Sequence, residues 1–155
     1  MIKIYCDGAC KNNGNSNGNG SNGGWGAVIV YDTGQIAQHC GYVADITTNN
    51  ACEMIALIEG LKRVDSDTPV EVCSDSKYVL DAITKKWTIN WKRNNWLTAK
   101  KTPVANKELW IRIMDTIKGR EITWTWVKGH SGDVYNDMAD KLANLAISEK
   151  RKANE

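Results

Sequence analysis

A chain of 155 residues, 42% apolar and 25% charged, can bury one core without disulfide or metal staples. Its apolar runs fall well short of the ~20 residues that a membrane-spanning helix needs, and Asp7 interrupts the first of them, which also argues against a secretory leader. The net charge of +2 hides a division, because seven Lys/Arg and no acid lie from Thr84 to Lys107 while the remainder carries 13 bases against 18 acids. Such a segment expects an anionic partner.

In chain order, Ile2 to Cys10 reads as a strand in which Ile4, Cys6 and Gly8 alternate with Tyr5, Asp7 and Ala9. Asp7 is out of place in a buried strand unless it is paired with a base or holds a ligand. Residues 11–24 contain only Lys, Asn, Gly and Ser and offer nothing to a core. Trp25 to Tyr31 and Gln35 to Val43 read as two strands joined by the Asp32-Thr33-Gly34 turn, so the first three strands form an antiparallel meander. Ala51 to Val64 has helical spacing of apolar residues. Glu53 there has two readings, a capping box with Asn50 as N-cap or a functional acid. Val70 to Ser74 reads as a short buried strand and Ser76 to Thr84 as a helix, an order that predicts parallel strand pairing. Asp75 between them is either a helix N-cap or a ligand-binding acid at the C-terminal edge of a sheet.

The basic segment interleaves Trp87, Trp91 and Trp96 with Lys85, Lys86, Lys92, Arg93, Lys100, Lys101 and Lys107. Its aromatic residues could pin a small helix to the domain, and its uncompensated bases suit a phosphate backbone. Asn106 to Lys118 reads as an amphipathic helix and Glu121 to Val127 as the last strand. A Gly129-His130-Ser131-Gly132 turn then leads into a helix from Val134 to Ile147. On it Asp133, Asp137, Asp140 and Asn144 form the polar stripe, and Val134, Met138, Leu142 and Leu145 the apolar one. The five cysteines sit in apolar runs without a zinc-ligand spacing, which predicts buried, reduced thiols in a cytosolic protein.

No single acid is convincing alone, but several carboxylates from different elements suit two Mg²⁺ ions that hold the attacking and leaving oxygens of a phosphodiester displacement. A mobile histidine for proton transfer fits the same chemistry. The runs Tyr5-Cys6-Asp7-Gly8-Ala9-Cys10, Thr48-Asn49-Asn50-Ala51-Cys52-Glu53, Ser74-Asp75-Ser76-Lys77-Tyr78-Val79 and Trp126 to Gly132, with Asn136 to Asp140, closely resemble the motifs of type 1 ribonuclease H of the bacterial kind. The resemblance extends in order from about Ile2 to Ala146. It implies an α/β ribonuclease H-like fold, with a five-stranded mixed sheet flanked by helices. It also implies hydrolysis of the RNA strand of RNA–DNA hybrids, leaving a 5′-phosphate and a 3′-hydroxyl. By the same resemblance Asp7, Glu53, Asp75 and Asp140 match the metal-binding carboxylates, and His130 matches a histidine that assists proton transfer or product release.

Asn13, Thr48, Asn49 and Asn50 match substrate-contacting positions, and Lys77 stands where many members carry Gln. Trp87, Trp91, Lys92, Arg93 and Trp96, with Lys100 and Lys101, match a basic protrusion that grips the DNA strand. The longer Asn/Gly run at 11–24 departs from the family pattern, as does Asp137, where many members have Glu. The expected organisation is one catalytic domain over residues 1–150, with the protrusion at 84–107 and a tail at 151–155. A monomer in the cytoplasm, using two Mg²⁺ ions for which Mn²⁺ substitutes, and without a membrane partner, completes the expectation. A non-catalytic hybrid-binding module would lack one of the four acids, and a DNA exonuclease or junction resolvase would not call for the Trp-rich basic arm.

Overall fold

The computed structural model describes residues 1–11, 22–44, 47–129 and 131–153. Five strands, β1 (Ile2–Cys10), β2 (Gly23–Val30), β3 (Ile36–Ala44), β4 (Val70–Ser74) and β5 (Ile122–Trp126), form one sheet in the order β3-β2-β1-β4-β5. The meander is present, with β2 antiparallel to both β1 and β3. β4 runs parallel to both β1 and β5, so the sheet is mixed, as the sequence indicated. The helices are α1 (Asn49–Lys62), α2 (Lys77–Thr84), α3 (Trp87–Arg93), α4 (Lys107–Ile117) and α5 (Val134–Ala153).

Strand alternation divides the core in two. Ile4 and Cys6 of β1 join Leu57, Ile58 and Leu61 of α1 and Trp110 and Ile113 of α4, whereas Tyr5 joins Val28, Cys73 and Ala139 on the α5 side. Trp110 is fully buried, and its indole N–H donates to the Tyr78 hydroxyl at 3.3 Å, which satisfies the one polar atom of the largest core side chain. Arg120 donates to the Thr116 carbonyl at 3.0 Å and to the Leu61 carbonyl at 2.9 Å, tying the C-terminal ends of α4 and α1 together.

Three local expectations change. The capping box on Asn50 does not form, because Thr48, in extended conformation, takes the N-cap position and accepts from the Ala51 N–H at 3.2 Å. The helix therefore starts at Asn49, and Glu53 lies beyond its first turn. In α5 the expected apolar stripe is only partly the buried one: Met138 and Leu142 pack against the core, but Val134 is 67% exposed and Leu145 46%, while Asn136, Ala139, Ala143, Ala146 and Ile147 are buried. Asp133 leaves the polar stripe to cap the helix, its Oδ1 accepting from the Tyr135 and Asn136 N–H groups at 3.1 and 3.0 Å. The cysteines are also less uniformly buried than expected, since Cys10 is half-buried and Cys40 exposed. Cys40 lies on the edge strand β3, where period-2 alternation turns Ile36, Gln38 and Cys40 outward.

The reason α5 buries small residues lies in β2. A Cβ on Gly24 would overlap the Ala143 carbonyl, and one on Gly26 would overlap the Ala139 carbonyl. The helix backbone thus lies directly on the strand, and large side chains are excluded at Ala139 and Ala143, where the two backbones meet. Gly26→Ala should destabilise the fold by about 1–3 kcal/mol, the usual size of overpacking in a closed core. Urea denaturation checks this, and a midpoint equal to that of the unmodified protein would show that α5 can move away freely.

Candidate active site

Parallel pairing, with Tyr5 opposite Cys73, sets the C-terminal end of β4 beside the middle of β1, which places Asp7 and Asp75 near each other. Helix α1 reaches the same point because Gly8 has no side chain; a Cβ there would overlap the backbone of Cys52 and Glu53. Glu53 is thereby set against Asp7. Ligand oxygens of Asp7, Glu53 and Asp75 all lie within 4.8 Å of one another. Asp140, carried in from the opposite face by α5, lines the same cleft of about 300 Å³ together with Gly8, Asn49, Asn50 and Ser76.

The electrostatics of this cleft are unusual for a buried site. Asp7 is only 4% exposed, and among the described residues none of the four acids forms an ion pair with Lys or Arg. Burial, and then the charges of Asp75 and Asp140, push the Glu53 carboxyl up to about 7, against the opposing effect of a hydrogen bond from Asp7. Asp7 is raised further, by burial first and then by the charge of Glu53 and the hydrogen bond to it. Burial and mutual charge thus both favour the protonated form in this pair. Glu53 Oε2 is buried without a hydrogen-bond partner, and the surrounding donors are all hard oxygens, the set that suits a divalent cation such as magnesium, manganese or calcium.

Side chains that sequence reasoning passed over hold Asp75 in place. Asn136 is 1% exposed and its amide donates to Asp75 Oδ2 at 3.5 Å, while the Trp126 indole N–H donates to the Asp75 carbonyl at 3.3 Å. Asn136 sits four residues before Asp140 and so on the same helical face, a spacing that could have singled it out. Asp75 is not the cap of α2; Ser76 is, with its Oγ accepting from the Val79 N–H at 3.3 Å.

The remaining candidates fall outside the carboxylate cleft. Thr48 is engaged as the α1 cap, and Lys77 is exposed with its ammonium 4.7 Å from the centre of the Trp126 ring. In the basic segment Trp91 packs on Trp110 at 5.7 Å, and Trp96 is also half-buried against the core, so these two anchor the arm as the aromatic-pin reading expected. Trp87 stays exposed 6.4 Å from Trp91, and Lys92, Arg93, Lys100 and Lys101 are all exposed. Trp91, Arg93, Leu97 and Lys101 help to line a groove of about 780 Å³ on this arm. Asn13 and His130 lie outside the described residues.

An acid whose folded pKa exceeds its unfolded value near ~4 stabilises the fold at low pH, and that contribution is lost as pH rises towards the folded pKa. The cation-free protein should therefore lose stability from about pH 4 upward, through the Glu53 value of about 7, with Asp7 extending the loss. Adding a divalent cation at pH 7.5 should raise the melting temperature, and Asp7→Asn should flatten the pH dependence. Melting curves from pH 4 to 9 with a chelator decide the matter, and a flat profile would contradict the buried carboxylate cluster.

The comparisons with known proteins agree with this geometry. The family model described as RNase H matches residues 1–148. A ribonuclease H of Hyphomonas neptunium is 45% identical over 151 residues, covering 97% of this chain and 95% of the relative. Among solved structures, that of LC9-RNase H1, a type 1 RNase H with the type 2 active-site motif, superposes with a TM-score of 0.79 at 27% identity, covering 96% of this chain and 72% of the other. That of LC11-RNase H1 in complex with RNA/DNA hybrid gives 0.69 at 25% identity, with 97% and 99% covered. A fold, an acidic cleft and a full-length sequence match that coincide in this way place the chain in the ribonuclease H family.

Proposed function

We propose that this protein is an endonuclease that hydrolyses the RNA strand of RNA–DNA hybrids, leaving 5′-phosphate and 3′-hydroxyl ends. The observation that carries the reading is the convergence of Asp7, Glu53 and Asp75 on one cleft with Asp140, with no basic side chain among the described residues to neutralise them. The four carboxylates would hold two Mg²⁺ ions, for which Mn²⁺ could substitute. Such ions, when bound, supply Lewis acidity and alignment of the attacking and leaving oxygens at the scissile phosphate.

The protein's own groups do the rest. Asn49 and Asn50 project from the first turn of α1 into the cleft, where their amides can take the sugar and phosphate oxygens of the RNA strand, and Thr48 fixes that turn by capping it. Contacts to the 2′-hydroxyl are what distinguish RNA from DNA at such a site. Asn13 is assigned to the same strand, and His130 to proton transfer or product release, both on the strength of the family resemblance. Lys92, Arg93, Lys100 and Lys101, with Trp87 at the surface, would take the phosphates of the DNA strand, and Lys77 a phosphate nearer the cleft. The arm and the cleft belong to one catalytic domain over residues 1–150, acting as a monomer in the cytoplasm.

Labelled RNA–DNA hybrid, double-stranded RNA and double-stranded DNA, each with Mg²⁺ or a chelator, test the assignment directly. Only the hybrid with Mg²⁺ should be cut, and cleavage of the DNA duplex would refute the reading. Asp75→Asn should abolish cleavage while hybrid binding persists; a rate within a few-fold of the unmodified protein would remove Asp75 from the site. Replacing Lys92, Arg93, Lys100 and Lys101 by Ala should raise KM more than it lowers kcat. It should also reduce the slope of log affinity against log salt by up to about 0.9 for each phosphate that is no longer neutralised. An unchanged slope would mean that these bases only solvate a surface.

A further inference from the structure

Two cysteines meet where β1 ends and α1 begins. Cys10 is the last residue of β1, and two-residue alternation puts its side chain on the α1-facing side of the strand with Cys6 and Gly8. Cys52 lies early in α1 and is fully buried. Thr47 touches both sulfurs, with Cys10 Sγ 3.4 Å from its carbonyl oxygen and Cys52 Sγ 3.9 Å from its hydroxyl. Gly23 is the cross-strand partner of Cys10, and a Cβ built on Gly23 would overlap Cys52 Sγ. The Cys52 sulfur thus fills the place of the side chain opposite Cys10, and directly opposed Cβ atoms in an antiparallel pair are only about 4.5–5.5 Å apart. That spacing therefore separates Cys52 Sγ from Cys10 Cβ, and turning the Cys10 sulfur towards Cys52 brings the two sulfurs near the distance from which a disulfide forms.

We infer that Cys10 and Cys52 form an intramolecular disulfide when the protein meets a low-molecular-weight disulfide oxidant. The half-buried Cys10 is the point of entry. Its sulfur attacks the oxidant's S–S bond, giving a mixed disulfide and one small thiol. The Cys52 sulfur then displaces the second small thiol, so two S–H bonds are lost from the protein, one S–S bond forms, and the oxidant leaves as two thiols. The other cysteines are placed differently: Cys6 faces the core, Cys73 packs with Tyr5 on the opposite side of the sheet, and Cys40 is exposed on β3. The new bond closes a loop over residues 10–52 that includes the Asn/Gly run at 11–24. It also ties the strand that carries Asp7 to the residue preceding Glu53.

The experiment uses a Cys40→Ser chain, which removes the exposed thiol that would link two molecules. Oxidised glutathione at pH 8 should lower its mass by two hydrogens, and peptide mapping without reductant should recover the segments holding Cys10 and Cys52 as one linked species. Loop closure of this length should raise the melting temperature by roughly 10 °C, and dithiothreitol should reverse the shift. Adding Cys10→Ser, a substitution at a half-buried strand end, should abolish both the link and the shift; the more conservative Cys52→Ala serves as the second variant, with its fold checked by circular dichroism. A reaction that stops at the glutathione adduct, a link that involves Cys6 or Cys73, or a mass that does not fall by two hydrogens would overturn the inference.

Discussion

The constraint on which the rest of the molecule depends is mutual repulsion among carboxylates in a place where water is scarce. Asp7 is almost wholly buried, Glu53 has an oxygen with no partner, and Asp75 and Asp140 add their charge to the same cleft. Groups of this kind would normally separate or be neutralised by a base. Here they are held together by scaffolding at each member: the missing side chain of Gly8 brings Glu53 to Asp7, the Trp126 indole and the Asn136 amide hold Asp75, and the α5 backbone fixes Asp140. Clustering raises the Asp7 and Glu53 carboxyls, an electrostatic penalty that a divalent cation held between these oxygens would relieve. Affinity for such an ion and the predicted loss of stability without it would then have the same origin.

Close backbone approach recurs as the way this scaffold is built. α1 lies on β1 at Gly8, and α5 lies on β2 at Gly24 and Gly26, so on both faces of the sheet a helix sits nearer than side chains would ordinarily permit. The short distances leave little freedom for either helix to slide. For a site that must keep oxygens from β1, α1 and the end of β4 within a few ångströms, with Asp140 of α5 lining the same cleft, that rigidity matters more than the amount of apolar surface buried.

How much of this could be read from the sequence varied with the kind of interaction involved. The meander and the parallel pairing were legible because the apolar pattern of Val70 to Ser74 and the turn at 32–34 are local signals, and the four acids were legible because they fall within recognisable runs. The buried face of α5 was not. A hydrophobicity pattern favours Val134 and Leu145, but the partner surface is Gly24 and Gly26 of β2, far earlier in the chain, and only the tertiary packing reveals that small residues are required. Glu53 was ambiguous for a related reason: Asn50 three residues before it suits a capping box as well as a functional acid, and only the extended backbone at Thr48 shows that the cap lies elsewhere. Trp126 and Asn136 were hidden because their hydrogen bonds run to Asp75, 51 and 61 residues away along the chain.

The charge division seen in the sequence acquires a spatial meaning in the fold. The acids converge at the ends of β1 and β4, whereas the bases stand on α3 and the segment after it, anchored through Trp91 on the fully buried Trp110. A polyanion with two strands can then be attracted by one part of the surface and presented to another that would repel it unaided. On the proposed function, binding through the arm and reaction at the acidic cleft would then be separable steps, since uncompensated carboxylates repel phosphate. Trp91 connects the arm to the core packing of α4, and α4 packs in turn on α1, so a continuous chain of packed side chains links the basic surface to the helix that carries Glu53.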